Sequence, residues 1–150
     1  MMRTLERSMA QKYLDIVRQR GERGKTLRKV YSNIRSNELF LMGYGKLYAN
    51  KGATTKGTDK ADTVDGMSLA KIDTIIDNLK NGTYKWKPVR RIYIPKANGK
   101  IRPLGIPCWS DKLLQEVLKM VIEAYYEPIF RESSHGFRPN RGCHKSVIRE

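Results

Sequence analysis

One stretch, residues 89–107, VRRIYIPKANGKIRPLGIP, constrains the fold of this chain more than any other. Asn98-Gly99 between two apolar segments is a hairpin signal, because type I′ turns place both central residues at positive φ. Pro103 falls inside the second segment and cannot donate to a ladder, so that strand lies at an edge and the ribbon projects rather than running through a sheet. Alternation sets Arg90, Ile92, Ile94 and Lys96 on one face of the first strand, with Arg91 and Tyr93 on the other. The register is open. A two-residue loop pairs Ala97 with Lys100 and leaves Arg102 opposite Pro95, on the far face from Lys96; a three-residue loop with a bulge sets Arg102 opposite Lys96.

Arg90, Arg91, Lys96, Lys100 and Arg102 crowd this ribbon, and no acid occurs between Asp77 and Asp111. A rigid cationic ribbon with no acid nearby in sequence suits an anion, and a phosphate chain above all. If one triphosphate is the ligand, Lys96 and Arg102 must share a face, through the second register or a bent tip. The whole chain points the same way: 30 Lys and Arg against 15 Asp and Glu give a net charge of +15. Nucleic acid is the usual partner of such a balance, and a solvated basic surface is the bland alternative.

Other chemistries find little support. No apolar run reaches the length of a membrane span, and the first ten residues lack a signal-peptide core, so the expectation is a cytoplasmic protein with no membrane partner. Cys108 and Cys143 stand alone and read as free thiols. His135 and His144 lack the further ligands of a zinc site, so no metal is expected. Asp59, Asp62 and Asp65, spaced by three, read as a solvated acidic patch. Neither common glycine-rich phosphate cradle is present, and Ser133, Ser134 and His135 make no triad by adjacency. From its residues alone the chain binds phosphate, with no visible catalytic group.

The helices are legible from spacing. Leu5, Met9, Tyr13, Ile16 and Val17 predict an amphipathic helix over about residues 3–20, with Arg7, Lys12, Arg18 and Arg20 on its other face, either contacting RNA or solvated. Gly21 and Gly24 interrupt it, and a short helix follows with Leu27, Val30, Tyr31 and Ile34 on one side. Ser36 caps a helix to about Ala49 carrying Leu39, Phe40, Leu41, Met42, Leu47 and Tyr48. Residues 50–66 hold three glycines and few large apolar side chains, which predicts a long, mobile loop. Ser68 caps a helix with Leu69, Ile72, Ile75, Ile76 and Leu79 on its core face, stopped at Gly82. After the hairpin, Ser110 opens the strongest helix, with Leu113, Leu114, Val117, Leu118, Val121, Ile122, Tyr125 and Tyr126 as a wide apolar face ended by Pro128. Residues 133–142, SSHGFRPNRG, form a turn-rich loop, and a last helix starts near Cys143. The fold class is α+β, mostly helical, with helices packed around a short antiparallel hairpin.

Residues 84–107, then Asp111-Lys112-Leu113-Leu114-Gln115-Glu116, Tyr126-Glu127-Pro128 and His135-Gly136-Phe137-Arg138-Pro139, resemble the fingers region of group II intron reverse transcriptases. Tyr48-Ala49-Asn50-Lys51-Gly52-Ala53, followed by Asp65-Gly66, resembles their N-terminal extension with its lid loop. The resemblance covers most of residues 39–147, in family order.

It implies an RNA-directed DNA polymerase and maturase of right-hand architecture. Residues 1–66 would be the N-terminal extension with basic helices and lid, and residues 67–150 the fingers, with the palm absent. Arg90, Lys96 and Arg102 would hold the triphosphate of the incoming dNTP. Lys12, Arg18, Arg20, Lys25 and Arg28 would grip RNA; Asn50, Lys51 and Lys56, in the lid, and Arg138 and Arg141, in the later loop, would lie at the template. The implied partners are group II intron RNA, an RNA template, a DNA primer, dNTP and a second copy in a homodimer, within a cytoplasmic ribonucleoprotein. Such enzymes use Mg²⁺ held by palm aspartates of a YADD-type motif, and this chain reaches Glu150 without one. The expectation is an N-terminal fragment, inactive alone. The rival readings are a maturase-type RNA-binding module that uses no nucleotide, and an unrelated basic nucleic-acid scaffold.

Overall fold

The computed structural model describes residues 8–50 and 52–142; Leu5, Arg7, Lys51, Cys143, His144 and the expected last helix lie outside them. The chain divides into two compact units. Lys29–Lys119 forms one, and Met1–Arg28 with Met120–Glu150 forms the other.

The first unit holds helices α2 (Val30–Asn33), α3 (Asn37–Tyr48) and α4 (Leu69–Lys80), strands β1 (Arg90–Pro95) and β2 (Ile101–Ile106), and the first part of α5 (Trp109–Tyr126). α4 forms as its sequence dictates. Ser68 Oγ accepts from Lys71 N–H, Ile72, Ile75, Ile76 and Leu79 are buried at helical spacing, and Gly82 at φ +67° ends it. α3 packs against α4, burying Leu39, Phe40 and Gly43, while Leu41 and Tyr48 of the expected apolar set stay exposed. α2 is a single turn rather than a longer helix, although Ile34 just beyond it is buried. α5 starts one residue early, at Trp109, and adds Leu113, Leu114 and Val117 to the core.

A fully buried Leu, Ile or Phe contributes roughly 1.5–3 kcal/mol, so this helical core carries the unit's stability. The hairpin adds only Ile106 to it. Among the described residues strand β1 pairs with β2 alone, antiparallel. The α+β class stands, but the helices pack on one another and the ribbon extends from them. They are not wrapped around it.

In the second unit, Ser8 caps α1 (Met9–Glu22) by accepting from Gln11 N–H. The buried stripe is Ala10, Leu14, Val17 and Gly21, and Met9 and Ile16 of the expected face are exposed. The stripe is turned because Gly21 is a contact and not a break: a Cβ there would collide with the Tyr125 carbonyl oxygen. The chain leaves the helix at Gly24, whose φ of +60° is left-handed. Met120, Val121 and Ala124 of α5 supply the rest of this unit's core, whereas Ile122 and Tyr126 are exposed. α5 is followed by a 3-10 turn (Glu127–Ile129) that packs on α1. No helix of the described residues is long and apolar enough to cross a membrane.

Candidate functional site

The hairpin closes through three residues, Ala97, Asn98 and Gly99. Lys96 N–H donates to Lys100 O at 2.7 Å, and Gly99 N–H donates to Lys96 O at 3.1 Å. Only Gly99 of the three has positive φ, at +76°, so the loop is a type I turn with a left-handed glycine rather than type I′. Arg102 therefore faces Ile94, a register different from both sequence alternatives. Residues directly opposite share a face, so Arg90, Ile92, Ile94 and Lys96 lie on the same side as Lys100, Arg102, Leu104 and Ile106. Lys96 and Arg102 thus meet the same-face condition diagonally, and Lys100 joins them. Because Lys96 and Lys100 form a hydrogen-bonded pair, the Tyr93–Pro103 and Pro95–Ile101 pairs are the unbonded ones, and both prolines sit where no ladder donor is missing. Lys96, Lys100 and Arg102 make no ion pair among the described residues; Arg90 donates from Nε to Lys56 O at 2.9 Å.

A polar frame orients the ribbon's root. Asp111, 2% exposed in the first turn of α5, accepts from Tyr84 Oη at 2.6 Å and from Lys87 N–H at 3.0 Å. Burial, reinforced by the Asp111 carboxylate, holds the Tyr84 phenol well above its ordinary pKa. Asp62, 5% exposed, accepts from Ser110 N–H and Oγ and from the Lys87 ammonium. Lys87 also pairs with Asp59 at 2.8 Å, and that bond lowers the Asp59 pKa and raises that of Lys87.

One expectation is corrected here: Asp62 is buried and Lys87 pairs with both it and Asp59, so the two are not a solvated patch. The loop over residues 50–66 is fastened at several points. Gly57 packs on Cys108, where a Cβ would come within 2.7 Å of backbone. Thr58 Oγ1 donates to Pro88 O at 2.8 Å, and Val64 enters the core. The loop lacks apolar residues because polar bonds fasten it. Cys108 is a free, buried thiol in this contact.

No family model matches the chain. It is 49% identical over 126 residues to the group II intron-encoded protein LtrA of Lactococcus lactis subsp. cremoris, an alignment covering 81% of this chain and 21% of that protein. The chain belongs to the group II intron-encoded proteins. It is also 49% identical over 121 residues to an uncharacterised 91 kDa cob-intron protein of Schizosaccharomyces pombe, covering 80% of this chain and 15% of that one. Nuclear intron maturase 1 of Arabidopsis thaliana is 33% identical over 128 residues, covering 75% and 18%. The chain spans about a fifth of the length of the lactococcal relative, at 21%.

The remaining candidate residues differ in what their side chains meet. Lys12, Arg18, Lys25, Arg28, Asn50 and Lys56 are exposed. Arg20 spends its guanidinium on Thr26 O, at 3.0 and 2.8 Å. Arg138, with a side chain 8% exposed, binds both Glu127 oxygens, donates to Arg131 O and Ser134 O, and stacks on Phe130. Arg141 donates to Glu132 O at 2.8 Å.

Among the described residues no three His, Cys, Asp or Glu side chains are grouped to hold a metal, and the neighbouring Asp59 and Asp62 are both engaged by Lys87. These residues do not fit a magnesium site. The parts that Asp62, Lys87 and Asp111 play in this polar frame escaped the sequence reading. Asp111 alone carried a local signal, an acid in the first turn of a strong helix.

Proposed function

We propose that this chain is part of an RNA-directed DNA polymerase and maturase, with residues 1–66 as its N-terminal extension and residues 67–150 as the fingers of a right-hand polymerase. Arg90, Lys96 and Arg102, joined by Lys100, hold the triphosphate of an incoming dNTP. The observation that carries this reading is the register, which puts four cations on one face of a ribbon with no acid between Asp77 and Asp111. Charge-assisted bonds from such a surface hold a polyphosphate and neutralise charge as it develops. The lid lies at the template strand, and Lys12, Arg18, Lys25 and Arg28 contact intron RNA through its phosphates. Bond formation with Mg²⁺ belongs to carboxylates other than those described here, and the partners are intron RNA, template, primer and dNTP in a ribonucleoprotein.

The test uses the complete protein that carries this sequence. Lys96→Ala should weaken dNTP use by roughly tenfold, the worth of one charged hydrogen bond, while intron RNA affinity changes less than twofold. Equal losses in both assays would favour an RNA-binding module that uses no nucleotide.

A further inference from the structure

The loop over residues 50–66 is fastened by cations at two places, and the two differ in charge balance. At one, the Lys87 ammonium lies between carboxylates, 2.8 Å from Asp59 and 3.3 Å from Asp62. At the other, Lys112 Nζ donates to Thr55 O at 2.7 Å and Arg90 Nε donates to Lys56 O at 2.9 Å. Two cations from β1 and α5 thus end on consecutive carbonyls of one strap, and a carbonyl offers only a dipole. The consequence shows in opposite shifts. Asp59 raises the pKa of Lys87, whereas burial and the neighbouring Arg90 charge lower that of Lys112 against a smaller opposing effect of Cys108. Like charges held together by neutral acceptors are poised to exchange those acceptors for an anion, since charge-assisted bonds are roughly twice as strong as neutral ones.

We propose that Arg90 and Lys112 form a phosphate-binding pair, and that the Thr55 and Lys56 carbonyls are placeholders which a phosphate group displaces. The strap over residues 52–56 is then released, while Gly57 stays pinned against Cys108 and the Lys87 anchor stays closed. The pair couples lid position to anion binding. For Arg90 this rests on the phosphate reading of the hairpin; Lys112 and the strap extend it. The phosphate belongs to a nucleotide triphosphate or to a nucleic-acid backbone, which present the same chemistry.

Amide hydrogen exchange on the complete protein tests this. Ala53 N–H bonds Asn50 O and Thr55 N–H bonds Gly52 O, so the strap reports its own release. Tripolyphosphate should speed exchange over residues 52–56 several-fold and leave residues 57–66 unchanged. A response to dNTP alone assigns the triphosphate, and a response to an oligouridine alone assigns the backbone. Lys112→Met should weaken tripolyphosphate binding by roughly tenfold and abolish the response, and Lys112→Arg should restore both. Tripolyphosphate that fails to bind, that binds without changing strap exchange in the wild type, or that binds Lys112→Met as tightly, overturns the proposal. Lys96→Ala separates the two ideas: unchanged nucleotide affinity there, with loss in Lys112→Met, removes Lys96 from the phosphate site and leaves the pair standing.

Discussion

Two arginine-bearing loops, the hairpin of β1 and β2 and the segment over residues 133–142, look alike in sequence and differ in structure. Both are built on glycine, asparagine and proline, and both carry cations expected to meet phosphate, of a dNTP at the hairpin and of nucleic acid at the later loop. In the hairpin, Lys96, Lys100 and Arg102 have no ion-pair partner among the described residues. In the later loop Arg138 is the loop's own fastener, 2.9 Å from Glu127 and bonded to two carbonyls. The difference lies in the local supply of acceptors. Glu127, eleven residues before Arg138, supplies a carboxylate to the later loop, whereas no acid occurs between Asp77 and Asp111. A cation offers its charge outward only where nothing local has claimed it. The side chain the later loop does present is Phe137, fully exposed at a φ of +56°.

The comparison breaks if Arg138 proves to be a ligand. Arg138→Ala should cost about 2–3 kcal/mol in urea denaturation, because it strands Glu127 and two carbonyls, and Arg138→Lys should recover only part of that for want of the planar fork. Unchanged stability with lost RNA affinity would reverse the assignment. Next in size is Tyr84→Phe, expected to lose about 1–2 kcal/mol at neutral pH. Burial and the Asp111 bond raise this pKa, so the contribution is complete below the ordinary value of 10.0 and is lost as pH rises above it. Between about pH 8 and pH 11 the wild type should therefore lose more stability than Tyr84→Phe, and parallel curves would show that the phenol is not held by Asp111. Smallest is Arg102→Ala, expected within about 0.5 kcal/mol of wild type in the same denaturation measurement. A larger loss would mean that the hairpin cations, too, serve the fold.

Much of this architecture was readable from periodicity. α4, with its Ser68 cap, four-residue stripe and Gly82 stop, needs nothing beyond its own sequence. The hairpin's position was equally plain, since Pro103 and Asn98-Gly99 act locally. The misreadings share a cause. Gly21 reads as a break in isolation, and only the approach of the Tyr125 backbone makes it a packing residue inside α1. The anchors of residues 50–66 went unread because hydrophobicity is the signal that sequence patterns carry, and this loop is held by Asp62, Thr58 and backbone carbonyls instead.

By itself, then, the sequence determined where the helices and the ribbon lie, that the ribbon is cationic and free of nearby acid, and which family the chain joins. Those properties are local or additive, set by spacing, composition and turn chemistry. Tertiary structure alone decided the register that brings Lys96, Lys100 and Arg102 to one face. It also decided which acids Lys87 neutralises and which two cations meet at the Thr55–Lys56 strap. Each of those depends on groups tens of residues apart, and no local preference specifies which distant partner a charged side chain will find.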